Sequence, residues 1–330
     1  MHTNSPFIQI LIQRCCKNPG RVIFPEGNDP RVVDAAKLLL TWNAVSEIKL
    51  ITTCNGVANK RADTRLTEIS SLESSLVSLT KVTYESFLAK KQKTADADVI
   101  KKISYDPLYQ AGAMLAKDET DCVVAGCVAT TSDVIRASLA TVGLAQGINT
   151  VSGSFILDRS KDQKNETYLY ADCGVVIEPS IEQLADIAAG SISTFQKITG
   201  LSPVVAFLSF STKGSADHPS AQKMRMAADL FKRKHPEIDC DGEMQFDAAF
   251  VADVGKRKAP SSNVPGRANC FIFPDLNAGN IAYKITQRLA SFGAYGPILQ
   301  GLARPYSDLS RGASAEDIAI SALINILRSR

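Results

Sequence analysis

Short, almost unbroken apolar runs alternate along this chain with longer stretches in which apolar residues recur every three or four positions. Residues 21 to 24 (RVIF) read as a buried strand, PEGNDP as a turn, residues 31 to 41 as an amphipathic helix and EIKLITT (47 to 53) as the next strand. Strand, turn, helix, strand predicts a parallel sheet, because parallel neighbours need a crossover connection. DCVVAGCV (121 to 128) is nearly all apolar, as expected for a strand covered on both faces. TTSDVIRASLATVGL then predicts a helix capped by Thr131 or Ser132. Between 56 and 102 the chain is rich in Ser and Lys with weak periodicity, which predicts helices and loops at a rim.

The texture changes near residue 147. Residues 147 to 158 and 166 to 177 predict two strands joined by the polar turn RSKDQKN. Pro179 and Ser180 open a helix that Gly200 ends. VVAFLSFS (204 to 211) and CFIFPD (270 to 275) predict strands, FDAAFV (246 to 251) a short apolar segment, and helices follow at HPSAQKMRMAADLFKRKHPE and NAGNIAYKITQRLAS. The last helix, from Glu316 to Leu327, carries one apolar stripe at 318, 322, 323, 326 and 327. With no repeat and no low-complexity linker, the pattern predicts α/β architecture throughout: two closely docked domains, mostly parallel sheets and an interdomain cleft.

A length of 330 residues fits two cores. The net charge of +3 is small, and short basic runs such as residues 256 to 258 suit solvated helix ends, so neither nucleic acid nor an acidic membrane is indicated. Eight cysteines without a C-x-x-C pair fit reduced thiols in the cytoplasm. No run reaches 18 apolar residues, and the N-terminus reads as an amphipathic helix rather than a signal peptide. His2, His218 and His235 are the only histidines, so acid–base work falls to carboxylates.

Four segments combine chemistry-bearing residues with a strand-to-helix handover, where open α/β folds bind ligands. In GPILQGLARPYSDLSRGASAED, Ser310, Arg311 and Asp317 put a hydroxyl, a permanent cation and a carboxylate within eight residues. Asp317 is either a proton acceptor or the second half of a capping box begun by Ser314. FPDLNAGNIAYK sets Asn277, Asn280 and Tyr283 at a helix start, which suits an anion or simple capping. SFSTKGSADHPS offers Ser211, Thr212, Lys213, Gly214 and Ser215 as a phosphate cradle or a polar loop, in an order unlike the P-loop. CVATTSDVIRAS places Thr130 and Thr131 at a strand exit and Arg136 one turn later, facing a cleft or solvent.

The strings LSFSTKGSA, DGEMQFDAAFV, KAPSSNVPGRANCFIFPDLNAGNIAYKITQRLA and GPILQGLARPYSDLSRGASAEDI resemble, in order and spacing, the phosphate acetyl/butyryltransferase family, as do VIFPEGNDPRVVDAA, DPLYQAGAML, AGCVATTSDVIRA and YADCGVVIEPSIEQLADIA upstream. The resemblance implies the reaction acetyl-CoA + phosphate = acetyl phosphate + CoA, in a ternary complex without an acyl-enzyme. It implies a fold like the isocitrate and isopropylmalate dehydrogenases, with residues 1–148 and 290–330 in a first domain and 149–289 in a second. It implies Asp317 as base toward the thiol, Ser310 as the group that orients the thiol, Arg311 at the acyl carbonyl and phosphate, and Arg136 on coenzyme A. No bound cofactor or metal is implied beyond coenzyme A as co-substrate, and a homodimer is.

Three positions depart from the family pattern. Ala313 stands where Cys often follows S-R-G, Ala129 replaces the His of H-T-T, and LAKKQKT lacks an arginine of L-R-K-H-K-G, leaving Lys90 or Lys91 as a substitute point charge. The alternatives are a phosphate butyryl- or propionyltransferase, a catalytically silent homologue that binds coenzyme A or acyl phosphate, and a metal- and NAD-dependent dehydrogenase, for which clustered aspartates and an adenine loop are missing from the sequence.

Overall fold

The computed structural model describes residues 5–53, 63–159 and 166–330. The polar turn expected at 160–165 and part of the rim expected from 56 onward lie outside the described residues. In chain order the first elements are α1 (Pro6–Lys17), β1 (Gly20–Phe24), α2 (Pro30–Thr41), β2 (Val45–Thr52), β3 (Leu66–Ser70), α3 (Ser74–Lys90), α4 (Ala97–Ser104), α5 (Pro107–Ala116), β4 (Cys122–Val124) and α6 (Thr131–Thr141). Next come β5 (Ser152–Asp158), β6 (Thr167–Ala171), α7 (Ile181–Thr199), β7 (Val205–Leu208), α8 (Pro219–Lys234), β8 (Cys240–Met244), α9 (Phe246–Phe250), α10 (Ala252–Lys258), β9 (Cys270–Ile272), α11 (Leu276–Leu289) and β10 (Gly293–Gln300). The chain ends with β11 (Tyr306–Ser307) and α12 (Ala315–Arg328).

Two compact units result, one from residues 1–146 and 302–330, the other from 147–301. In the first unit the described strands form a parallel sheet in the order β11-β4-β1-β2-β3. The apolar stripe expected on the last helix is buried on α12 through Ile318, Ala322, Leu323, Ile326 and Leu327. In the second unit the order is β10-β5-β6-β9-β7-β8. Its β10–β5 and β5–β6 pairs are antiparallel and the others parallel. Residues 290–301, grouped above with the first domain, therefore lie in the second unit, because β10 pairs with β5 from Gly293↔Asp158 to Gln300↔Ser152.

Helix starts follow a shared local chemistry. Asp29, Asp106 and His218 each precede a proline and accept a backbone amide of the first turn; proline at the first helical position has no amide to leave unpaired. Ser180 and Gln183 form a reciprocal capping box on α7, and Gly200, at φ 76°, ends it in the left-handed conformation. On α6 the cap is Thr130 rather than Thr131 or Ser132, since Thr130 adopts extended backbone and accepts from the Asp133 amide. FDAAFV is helical, with Phe246 and Phe250 stacked one turn apart at 5.2 Å. Strand β8 escaped the hydrophobic pattern because its buried run, CDGEM, contains charged residues. No described helix is long and apolar enough to cross a membrane.

Helix α11 packs closely because Gly279 lacks a side chain: a Cβ there would stand 2.0 Å from the Asp172 carbonyl oxygen. Gly279→Ala must push α11 off the exit of β6, and overpacking of this kind costs about 1–3 kcal/mol or more. The urea midpoint of the variant is expected to fall accordingly; an unchanged midpoint would refute the close approach.

Candidate active site

In the first unit three neighbouring strands, β1, β4 and β11, release their chains at the same sheet edge. The chain leaves β1 toward β2 on one side, while β4 and β11 lie on the other, so a topological switch point falls between β1 and β4. The loop after β4 turns its backbone amides inward. Glu26, just past β1, accepts four of them: Gly126 and Cys127 on Oε2 at 3.0 and 2.9 Å, Val128 and Ala129 on Oε1 at 2.9 and 2.7 Å. Burial and this neighbouring carboxylate push the Cys127 thiol well above its ordinary range.

Arg31, on the first turn of α2, ties the same loops together. It forms a two-pronged pair with Asp29, and also donates to the carbonyls of Cys127 at 3.0 Å, Arg311 at 2.8 Å and Ala313 at 3.0 Å. The loop after β11 is thereby fastened by its backbone, which leaves the Ser310 and Arg311 side chains exposed. Ser310 starts a tight turn: its Oγ accepts from the Gly312 amide at 3.2 Å and its carbonyl from Ala313 at 2.9 Å. The Arg311 guanidinium has no ion-pair partner among the described residues.

Asp317 does make the capping box. Its Oδ2 accepts from the Ser314 amide at 2.9 Å and hydroxyl at 2.8 Å, and Ser314 Oγ accepts from the Asp317 amide at 3.2 Å. Its Oδ1 accepts no hydrogen bond from the described residues, and the side chain is exposed. The cap and a proton-accepting role thus use different oxygens.

The α6 residues divide. Thr130 is spent on its cap with Asp133, and Arg136 pairs with Asp133 at 2.7 Å on an open surface. Thr131 donates to Asp308 at 2.6 Å. Lys90, the last residue of α3, lines a separate cavity of about 380 Å³ with Ser86, Phe87, Lys117 and Leu139, and none of Ser310, Arg311 or Asp317 lines it. A second cavity, about 320 Å³, opens at the strand exits beside Glu26, Asp29, Asp106, Val128 and Ala129. Burial raises the Asp106 carboxyl above its usual range, against the pull of the Leu108 amide it accepts. Glu26, Arg31, Asp106 and Asp308 went unmarked in the sequence. Glu26 and Arg31 sit in the turn and helix start after the first strand, which is the one local signal of their position.

In the second unit the 209–216 loop wraps an anion supplied by the protein itself. Glu243, on β8, is wholly buried; it accepts from Ser211 Oγ at 2.9 Å and the Gly214 amide at 2.8 Å, and pairs with Arg225 at 2.8 Å. Ser215 Oγ accepts from the Thr212 amide, and Thr212 Oγ1 accepts from the Gln245 amide. Lys213 reaches Asp241. Of the groups expected to cradle a ligand, Ser211 and the Gly214 amide are thus turned toward Glu243, while Thr212, Lys213 and Ser215 are engaged by Gln245, Asp241 and the Thr212 amide. On α11, Asn277 is exposed, Asn280 donates to the Cys173 carbonyl at 3.1 Å, and Tyr283 stacks on Phe155 at 4.0 Å. Among the described residues no group of three or more His, Cys, Asp or Glu could hold a metal.

Residues 6–326 match the family model described as Phosphate acetyl/butaryl transferase. The chain is 39% identical over 328 residues to the phosphate acetyltransferase of Acetivibrio thermocellus, covering 98% of both. It is 39% identical over 306 residues to that of Bacillus subtilis, covering 92% of this chain and 93% of the relative. Among solved structures, a phosphotransacetylase from Streptococcus pyogenes superposes with a TM-score of 0.88 at 36% identity, over 98% of each chain. A 4-hydroxythreonine-4-phosphate dehydrogenase from Klebsiella pneumoniae, 9% identical with a TM-score of 0.51, shares the fold alone.

Burial by itself would push the Glu243 carboxyl up, but Arg225, the Gly214 amide and the Ser211 hydroxyl hold it at about 2, below the ordinary 4.5. A carboxyl depressed in this way contributes stability that is complete above about 4.5 and is lost as pH falls toward 2. At about 1.4 kcal/mol per pH unit, the span from 4.5 to about 2 corresponds to about 3–4 kcal/mol, and Glu243→Gln is expected to cost that order of stability at neutral pH. The variant should also flatten the fall in Tm between pH 4.5 and 2; a parallel fall in both proteins would exclude Glu243 as its source.

Proposed function

This chain belongs to the phosphate acetyl/butyryl transferase family, and on that premise we propose that it is an acyltransferase interconverting acetyl phosphate plus coenzyme A with acetyl-CoA plus inorganic phosphate. The observation that carries the reading is the turn at the start of α12. It presents the Ser310 hydroxyl and, without partners among the described residues, the Arg311 guanidinium and Oδ1 of Asp317, from one backbone held by Arg31.

Each group has a task. A thiol with a pKa near 8.5 is only a few per cent ionised at neutral pH, so a carboxylate that removes its proton raises the concentration of the nucleophile. Asp317 Oδ1 accepts that proton. The coenzyme A sulfur then attacks the acetyl carbonyl, forming the C–S bond. Arg311 neutralises the oxyanion that develops on the carbonyl oxygen, as a donor fixed in advance. Collapse breaks the C–O bond to phosphate, which leaves with the bonding pair. Ser310 orients the sulfur by a hydrogen bond. Thr130 and Thr131 stand at the amino end of α6, where the phosphate would bind, with their hydroxyls held by Asp133 and Asp308.

Arg136 and Lys90 serve coenzyme A. An exposed pair such as Arg136–Asp133 is worth little in water, so an incoming phosphate group displaces Asp133 readily. Within the second unit, the Ser211–Ser215 loop is shaped around Glu243 and carries Lys213 beside Asp241, and Asn280 and Tyr283 hold α11, on which Asn277 is exposed. Exposed Ile281, Ile285 and Leu289, at 56%, 52% and 83%, form one stripe on α11 and support a homodimer. The described cysteines are free thiols, most of them buried, which supports a reducing, cytoplasmic setting. The partners are then small molecules, with no nucleic acid or membrane surface involved.

Asp317→Asn keeps an acceptor for the cap but removes the base, and kcat for acetyl-CoA formation is expected to fall on the order of 10²-fold or more. Ser314→Ala is the control: it removes the hydroxyl half of the capping box at a cost of about 1 kcal/mol in stability, keeps the backbone amide of residue 314 on Asp317 Oδ2 to hold the rotamer, and is expected to leave kcat within about threefold. Equal losses in the two variants would return Asp317 to a capping role. Lys90→Ala and Lys91→Ala are expected to raise the KM for coenzyme A; an unchanged KM in both removes these lysines from the site. Comparing butyryl phosphate with acetyl phosphate reads the acyl preference.

A further inference from the structure

Asp308 is a buried carboxylate of the first unit that the acyl-transfer scheme leaves unused. It sits at the exit of β11, two residues before Ser310, and is 2% exposed. Its Oδ2 accepts from Thr131 Oγ1 at 2.6 Å, a length typical of a hydroxyl facing an ionised acceptor. Its Oδ1 is sealed from solvent beside Gly126. Gly126 has φ +104°, and a Cβ there would stand 2.4 Å from that oxygen and 2.5 Å from the Leu309 nitrogen. The space between the β4 and β11 exits is therefore shaped around a carboxyl group.

Burying a carboxylate is costly unless it is paired, and no cation pairs with this one among the described residues. Other ties at the site hold backbone: Ala125 donates to the Ser307 carbonyl at 3.2 Å, and Arg31 donates to the Cys127, Arg311 and Ala313 carbonyls. The Asp308 bond holds the Thr131 side chain, at the first position of α6, to the segment that runs into Ser310 and Arg311.

We propose that Asp308 is a positioning residue: its ionised carboxylate fixes Thr131 against the Ser310–Arg311 loop, and acyl transfer runs at full rate only while that tie is made. The catalytic half of this inference rests on the acyl-transfer reading; the tie itself does not. Burial pushes the Asp308 carboxyl up to about 6; the Thr131 hydroxyl and the Leu309 amide pull it down, and Glu26 pushes it further up. The titratable groups facing it are Glu26, held by the loop amides after β4, and Tyr306 on β11, whose buried hydroxyl donates to the Leu108 carbonyl at 2.8 Å. Above about 6 the carboxylate is charged and the tie is strong; as pH falls through about 6 it takes up a proton and the tie weakens.

The test combines Asp308→Asn, Thr131→Val, Thr131→Ser and the Asp308→Asn/Thr131→Val double variant with two readouts. The first is hydrogen exchange of the amides in residues 309–314, which needs no turnover. Exchange is expected to rise about tenfold or more in Asp308→Asn and in Thr131→Val, and to stay near wild type in Thr131→Ser. The second is kcat, with acetyl phosphate and coenzyme A saturating, as a function of pH. Wild-type kcat is expected to fall as pH drops through about 6. Asp308→Asn should be at least about tenfold slower and flat across that range, and adding it to Thr131→Val should cost little more. Unchanged exchange in both single variants overturns the tie whatever the turnover, and Thr131→Val carries the test should Asp308→Asn fail to fold. Faster exchange with unchanged kcat in a wild type that turns over overturns the positioning role. A wild type that transfers no acyl group overturns the acyl-transfer reading and with it the catalytic half, while exchange still decides the tie.

Discussion

Backbone amides that leave a parallel sheet need acceptors, and in the first unit one carboxylate supplies them. The loop after β4 has left the ladder by Gly126, so four successive amides, from Gly126 to Ala129, lack strand partners; Glu26 takes all four. The buried ones, at Gly126 and Cys127, would each cost on the order of 1–3 kcal/mol without an acceptor. That single side chain locks the exit of β4 to the exit of β1. Arg31 then reaches from the adjacent helix start to the loop after β11, and Asp308 closes the remaining side. The exposed groups of the proposed chemistry stand on backbone fixed by these contacts.

The second unit uses the same device with a different residue. The 209–216 loop is rich in hydroxyls and amides and would suit an external anion, yet Glu243 projects into it from β8 with Arg225 as its countercharge. An internal carboxylate shapes a loop permanently, whereas a ligand would shape it only when bound. The result is a loop whose interior is satisfied and whose outward face carries Lys213.

The two roles considered for Asp317 are compatible, which spacing alone does not reveal. A carboxylate has two oxygens, and the cap consumes Oδ2 alone. Capping fixes the rotamer of the side chain, and a fixed rotamer is what a proton acceptor requires. Much the same holds for Thr131: it is exposed at the start of α6, but its hydroxyl proton is already committed to Asp308.

The sequence by itself determined the α/β class, most of the strands and helices, the capping box at Ser314 and the segments that carry chemistry, because these depend on local period and on neighbours within one or two turns. The long strings shared with a family made the activity legible as well. Tertiary structure alone decided the rest. Strand β8 hides Glu243 in a run without hydrophobic periodicity, and β10 joins the second sheet because pairing partners far apart in sequence set register. Glu26 meets amides about a hundred residues away, and Asp308 meets a hydroxyl 177 residues away. No local pattern encodes such contacts: they arise where parallel strands, brought side by side by long crossovers, release their ends together and buried polar groups must find partners there.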